Sequence, residues 1–206
     1  MFPIGSFLKQ NKNWVIIAAL IFIGGVAVAG YSLPPALGSA VDPEQLVGLQ
    51  ADKLEHFQEI FQNMSSPMLV LVIFITNLTS MGQMLLLGFL AGLSPLFTLF
   101  INGSLVGALT ASLAHEGLSP WLSLGLGVLP HGIFELSAFF ICGALGLKFG
   151  YHCVASPLPG LSRRESFFFI WREVATMLPT VILLLIVGAL VEVYISKILV
   201  LKYLAG

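Results

Sequence analysis

His131 and Glu135 are the residues in this sequence best placed to do chemistry, because they sit inside an apolar run, Leu129 to Gly150 (LPHGIFELSAFFICGALGLKFG). Four residues apart, they share one face if the run is helical. A carboxylate near the middle of a bilayer costs roughly 2.5–3.5 kcal/mol on insertion scales, so it needs a partner and usually has a purpose. Asn77 and Asn102, in preceding apolar stretches, and Glu192, in the last one, are the candidate partners. Such a set can bind an ion, relay a proton or knit helices together by hydrogen bonds. His131 and Glu135 would supply two metal ligands where a site needs three or four. The sequence holds neither an HExxH motif nor a GxSxG serine motif.

The elements that must position these residues are membrane spans. The chain of 206 residues is 57% hydrophobic and 9% charged, where a soluble domain carries about a quarter charged residues. Its mean hydropathy is +0.98. Several stretches reach the ~20 apolar residues that a span needs. A net charge of −1 gives no reason to expect a nucleic-acid partner, and no cofactor motif is present. Cys142 and Cys153 lack CxxC spacing and read as free thiols.

In chain order, Lys9 and Lys12 precede an apolar first span over residues 14–31. Ala27-Val28-Ala29 before Gly30 resembles a signal-peptidase site. The apolar core from Trp14 to Ala29 is at the long end for a signal peptide, so the segment is read as a retained span. Pro34-Pro35 closes it. Residues 42–64 then read as an amphipathic helix: Asp42-Pro43-Glu44-Gln45 is a start signal, and Leu46, Leu49, Leu54, Phe57, Phe61 and Met64 recur at helical spacing. Asp52, Glu55 and Glu59 make its other face acidic, which suits packing on protein better than adhesion to lipid headgroups. His56 on that helix reads as a surface histidine.

Residues 67–114 hold two spans. The break between them falls either at Gly92 to Pro95 or at Asn102-Gly103. Gly88/Gly92 and Gly103/Gly107 have the small-xxx-small spacing of close helix packing, within one subunit or across a dimer. Thr76, Asn77, Thr79, Ser80 and Gln83 form a polar knot, and an amide or hydroxyl in lipid must find a partner. Ser119-Pro120 opens the stretch that carries His131 and Glu135. From Trp121 to Leu147 it spans about 40 Å as helix, so it is tilted or broken, with Gly125, Gly127 and Pro130 as break points. Lys148 to Glu173 reads as a basic loop with a short helix capped by Ser162. The last span is Val174 to Ile195, interrupted by Pro179.

These elements make an all-α polytopic membrane bundle: one integral membrane domain over 1–206, about five transmembrane helices plus an external amphipathic helix, with 67–196 as the core. Lys9, Lys12, Lys148, Arg163, Arg164 and Arg172 on one side against Lys53, Lys197 and Lys202 on the other put the N-terminus in the cytoplasm and residues 34–66 outside, in a cell membrane.

The hub run resembles the signature of the stage II sporulation protein M family of integral membrane proteins. Phe100-Ile101-Asn102-Gly103, Arg163-Arg164-Glu165 and Ala189-Leu190-Val191-Glu192 resemble other family motifs, and Thr76-Asn77 stands where the family tends to have a double asparagine. The likeness runs from about residue 60 to 196. It implies that Asn77, Asn102, His131, Glu135 and Glu192 form the family's recurrent polar set. It also implies a role like that of the named member, a membrane component of the engulfment machinery of spore formers that works with two cell-wall-degrading partners. It supplies no reaction.

Three readings follow, in order of preference. The first is a membrane scaffold that recruits membrane or cell-envelope proteins, with a homodimer left open. The second is a small-solute or ion transporter or channel using His131 and Glu135. The third is an intramembrane metal-dependent hydrolase. A non-enzymatic role is preferred.

Overall fold

A computed structural model describes residues 4–32, 64–115, 117, 119–196 and 198–199 of the chain. The predicted amphipathic helix over 42–64 and its His56 lie outside the described residues, save Met64 at its end. The described residues form six α-helices: α1 (Ile4–Ser32), α2 (Ser66–Leu86), α3 (Leu93–His115), α4 (Pro120–Gly127), α5 (Leu129–Val154) and α6 (Arg163–Val191). A π-helical turn, Glu192–Ser196, continues α6. All of these but α4 and the π turn are long and apolar enough to cross a bilayer, which makes five spans with α6 and its π turn counted as one. The protein is an all-α helical membrane bundle.

The hub reading holds. Every other described helix, and the π turn, packs on α5. Its second half is nearly all buried, from Ala138 to Gly150, with Cys142, Ala144 and Leu145 at most 1% exposed. Met84 of α2, Leu99 of α3, Leu185 of α6 and Leu145 of α5 form the fully buried centre around it. Many large apolar side chains face outward, among them Leu20 and Ile23 of α1, Ile101 and Leu105 of α3, and Ile133 near the start of α5. In a bilayer that outer surface meets lipid tails, so packing and interior hydrogen bonds carry the specificity.

Glycine decides how closely α1, α3 and α5 approach. A methyl group at Gly103 would collide with the Phe22 carbonyl of α1, and one at Gly107 with that of Val26. Gly88 faces Gly146 of α5, and Gly92 faces Gly150 and Leu147. All four predicted packing glycines are therefore occupied within one subunit. Gly92 has a second duty: with φ +71° it ends the connection between α2 and α3 in the left-handed region, where glycine carries no Cβ penalty.

The break between the second and third spans is thus the one at Gly92, and Asn102-Gly103 lies inside α3. Asn102 sits inside the continuous helix, its amide donating to the Thr98 carbonyl one turn earlier, at 2.8 Å. The stretch is broken, at Val128 (φ −102°, ψ −42°), which lies between the expected break points Gly127 and Pro130; Pro130 itself sits in the first turn of α5. Ser119 caps α4, accepting from the Leu122 amide at 3.5 Å.

Three boundaries need correction. The first span begins at Ile4 rather than residue 14, and it bends at Asn11 (φ −112°, ψ 18°). The basic loop shrinks to residues 155–162, because α5 runs on to Val154 and α6 starts at Arg163. Lys148, read as a loop residue, is buried inside α5, and Arg172 and Glu173 are helical. The supposed short helix after Ser162 is the first part of α6 itself. Ser162 and Glu165 form a reciprocal capping box there, and Pro179 is accommodated without ending the helix.

Candidate functional site

The first turns of α5 bring His131 and Glu135 to one face, as their spacing requires, and the π turn brings Glu192 opposite them. One ligand atom from each of the three residues lies within 4.8 Å of the other two. Asn77, from the middle of α2, donates to Glu135 Oε1 at 2.8 Å. His131 Nδ1 and Ser196 Oγ, on the last residue of the π turn, are hydrogen-bonded at 3.0 Å. Four of the five predicted site residues therefore form one cluster.

Asn102 is the exception. It lines the same cleft as Asn77, His131 and Glu135, but its amide nitrogen is committed to Thr98 of its own helix. The rest of the predicted polar knot behaves similarly: Thr76 and Thr79 donate to the carbonyls of Val72 and Ile75 one turn back. Asn77 alone of that knot reaches across to the cluster in the hydrogen bonds seen.

The cleft holds about 220 Å³ and is walled by Phe22 of α1, Met81 of α2, Val106 of α3 and Phe139 of α5. That volume accommodates several waters beside polar partners. Among the residues lining it, His131 is the one side chain able to carry positive charge. Two carboxylates held this closely in an apolar bundle require a positive charge, as a proton or a cation, to offset their repulsion. One imidazole nitrogen and two carboxylates are also a donor set that a metal ion accepts.

Two residues of the site escape a reading based on polar residues in apolar runs. Gly188 of α6 gives Glu135 its space: a methyl group there would stand 2.6 Å from Glu135 Cγ. Ser196 orients His131. The signal that finds both is their spacing of four residues before and after Glu192, a stripe that aims at one neighbour. The π-helical turn that presents Glu192 and Ser196 has no such signal.

A second polar cluster lies about 20 Å further along α5, at 1.5 Å per residue from Glu135 to Lys148. Lys148 donates to Glu173 Oε2 at 2.5 Å and to Asn11 Oδ1 at 2.8 Å, while Asn11 Nδ2 donates to the other Glu173 oxygen at 3.3 Å. The ammonium also lies 5.7 Å from the centroid of the Phe169 ring. The bend of α1 at Asn11 and this triad occur together, and the triad ties α1, α5 and α6 at one end of the bundle. Its charges are internally balanced, so it reads as a structural tie.

Cys142 is buried and Cys153 half-buried, both free. His115, at the end of α3, is exposed.

The family model described as stage II sporulation protein M matches residues 11–197, which takes in α1 from Asn11 onward, helices α2 to α6 and both polar clusters. An uncharacterized protein of Methanocaldococcus jannaschii is 33% identical over 111 residues, covering 51% of this chain and 58% of that relative. The match thus spans less than two thirds of the relative's length. No solved structure matches the chain. A family match over nearly the whole chain, on a bundle of five apolar helices, makes this a multi-pass membrane protein that belongs to the stage II sporulation protein M family.

Proposed function

We propose that this protein binds and passes a small cation or proton within the membrane, at the centre formed by His131, Glu135 and Glu192. The observation that carries the reading is the 220 Å³ cleft that reaches His131 and Glu135 between α1, α2, α3 and α5. Ionisable groups in spanning segments that face the bundle interior or a cavity mark ion and proton pathways. The carboxylates supply the negative charge that attracts a cation, and the imidazole supplies a group able to take and return a proton. Asn77 and Ser196 hold two of the three side chains in place.

A second reading, the membrane scaffold, has its own support. The Asn77–Glu135 bond links α2 to α5, and the His131–Ser196 bond links α5 to the π turn. Interhelical bonds of this kind contribute about 0.6–2 kcal/mol each in membranes, enough to specify one packing of the bundle. In this reading the polar cluster fixes the shape of a surface that recruits membrane or envelope partners.

Glu135→Gln separates the two. The amide keeps the size of the side chain and an oxygen for Asn77, but it cannot ionise. Purified protein in proteoliposomes, loaded with a pH- or cation-sensitive dye, reports passage across the bilayer. The transport reading predicts flux from the native protein and at least tenfold less from the variant, with unchanged thermal stability. Absence of flux from the native protein above empty vesicles, under a pH or cation gradient of either sign, overturns it in favour of the scaffold.

A further inference from the structure

We infer that the His131–Glu135–Glu192 centre is a binding site for a first-row divalent metal ion of the zinc or manganese class. This rests on the reading of the cluster as a cation centre and names the ion it selects. The first argument is charge: two carboxylates bring two negative charges, and a divalent ion balances both where a monovalent ion leaves one in an apolar bundle. The second is donor type. One imidazole nitrogen with two carboxylate oxygens suits zinc, manganese or iron(II), whereas sodium, potassium, magnesium and calcium sites are built from oxygen alone.

Geometry is the third argument. The three donor atoms lie within 4.8 Å of one another. A four-coordinate ion with bonds of ~2.1 Å holds its ligands ~3.4 Å apart, so modest side-chain rotation closes the set. The outer hydrogen bonds are already made: Asn77 grips one Glu135 oxygen and Ser196 grips the imidazole. Such partners orient metal ligands and tune their basicity. The adjoining cleft, lined by His131 and Glu135, gives room for water at the ion's remaining positions. Finally, Glu192 and Ser196 sit on a π-helical turn, an arrangement that costs hydrogen-bond geometry and recurs at functional sites in helices.

The test uses the untagged full chain in detergent, stripped with chelator and titrated with Zn2+, Mn2+ or Co2+. Bound metal is counted by mass spectrometry after gel filtration, and Co2+ is followed by its visible absorption. One ion per chain is expected for the native protein, with visible bands that report nitrogen and oxygen ligation. Glu192→Gln and His131→Asn should bind at least tenfold more weakly, and His131→Asn should also alter the bands. His115→Ala, at an exposed site, should bind as the native chain does. Each variant is first required to match the native gel-filtration profile, and Glu192→Gln, the milder change, carries the comparison. No stoichiometric binding by the native chain, or equal binding by Glu192→Gln, overturns the inference. Proton flux in vesicles without any divalent binding overturns it while leaving the transport reading intact. Stoichiometric binding without flux upholds it and removes that reading.

Discussion

Replacing Lys148 with methionine should be among the most damaging single substitutions in this protein, although the residue lies far from the His131 cluster. The Lys148 side chain is 7% exposed and that of Glu173 14%. Methionine matches the length of the lysine stem and packs in the same space, so the loss is electrostatic. It leaves the mostly buried Glu173 carboxylate with the Asn11 amide as its remaining hydrogen-bond partner among the described residues. Removing one partner of a buried pair costs about 3–5 kcal/mol, which shifts the unfolding equilibrium roughly a hundred- to several-thousand-fold. Adding Glu173→Leu removes the stranded charge. The double variant then retains a deficit of about 1–3 kcal/mol, mainly from the unpaired amide of Asn11. The assay is reversible unfolding in mixed micelles, followed by helical circular dichroism. A cost below about 1 kcal/mol for Lys148→Met, or a double variant as damaged as the single one, would refute the picture of a buried triad tying α1, α5 and α6.

Further outcomes follow from the same contacts. Gly188→Ala should press a methyl group into Glu135 and cost about 1–3 kcal/mol by overpacking, whereas Gly24→Ala, with open space around it, should be nearly neutral in the same unfolding assay. Gly107→Leu should separate α1 from α3, because even a methyl group meets the Val26 carbonyl, and gel filtration should show aggregation or loss of the folded peak. A maleimide in detergent should label Cys153 and spare Cys142 until the bundle unfolds, since Cys142 is fully buried. With a cytoplasmic N-terminus, a membrane-impermeant maleimide applied outside intact cells should miss Cys153 and mark a cysteine introduced at Gln50. The reverse pattern would invert the proposed orientation.

The spans were legible because lipid demands long apolar runs, and Pro and Gly mark their ends: Ser119-Pro120 opens α4 where the sequence indicates, and the break at Val128 falls between two of the expected points, Gly127 and Pro130. The polar cluster was legible for a related reason. An acid or amide in an apolar run must find a partner, and Asn77, His131, Glu135 and Glu192 found one another. Lys148 shows where that logic was applied too narrowly. It sits at the end of the apolar run, so it resembles a loop base, yet Glu173 and Asn11 satisfy it inside the bundle. Its partners are 25 and 137 residues away in the chain, and nothing local announces them. The same holds for the π turn, which packs against α2, α4 and α5, contacts that nothing local announces. Asn102 erred in the opposite sense: its amide is satisfied one turn back along its own helix, a local solution that needs no partner across the bundle.

The most direct test of the account is an experimental map of the protein equilibrated with Mn2+, recorded with anomalous scattering at a resolution that shows ordered water. A metal centre there gives one anomalous peak bounded by His131, Glu135 and Glu192, with water continuing from it into the cleft beside Asn77 and Asn102. A centre closed by direct hydrogen bonds among those side chains, with neither ion nor water between them, would contradict it.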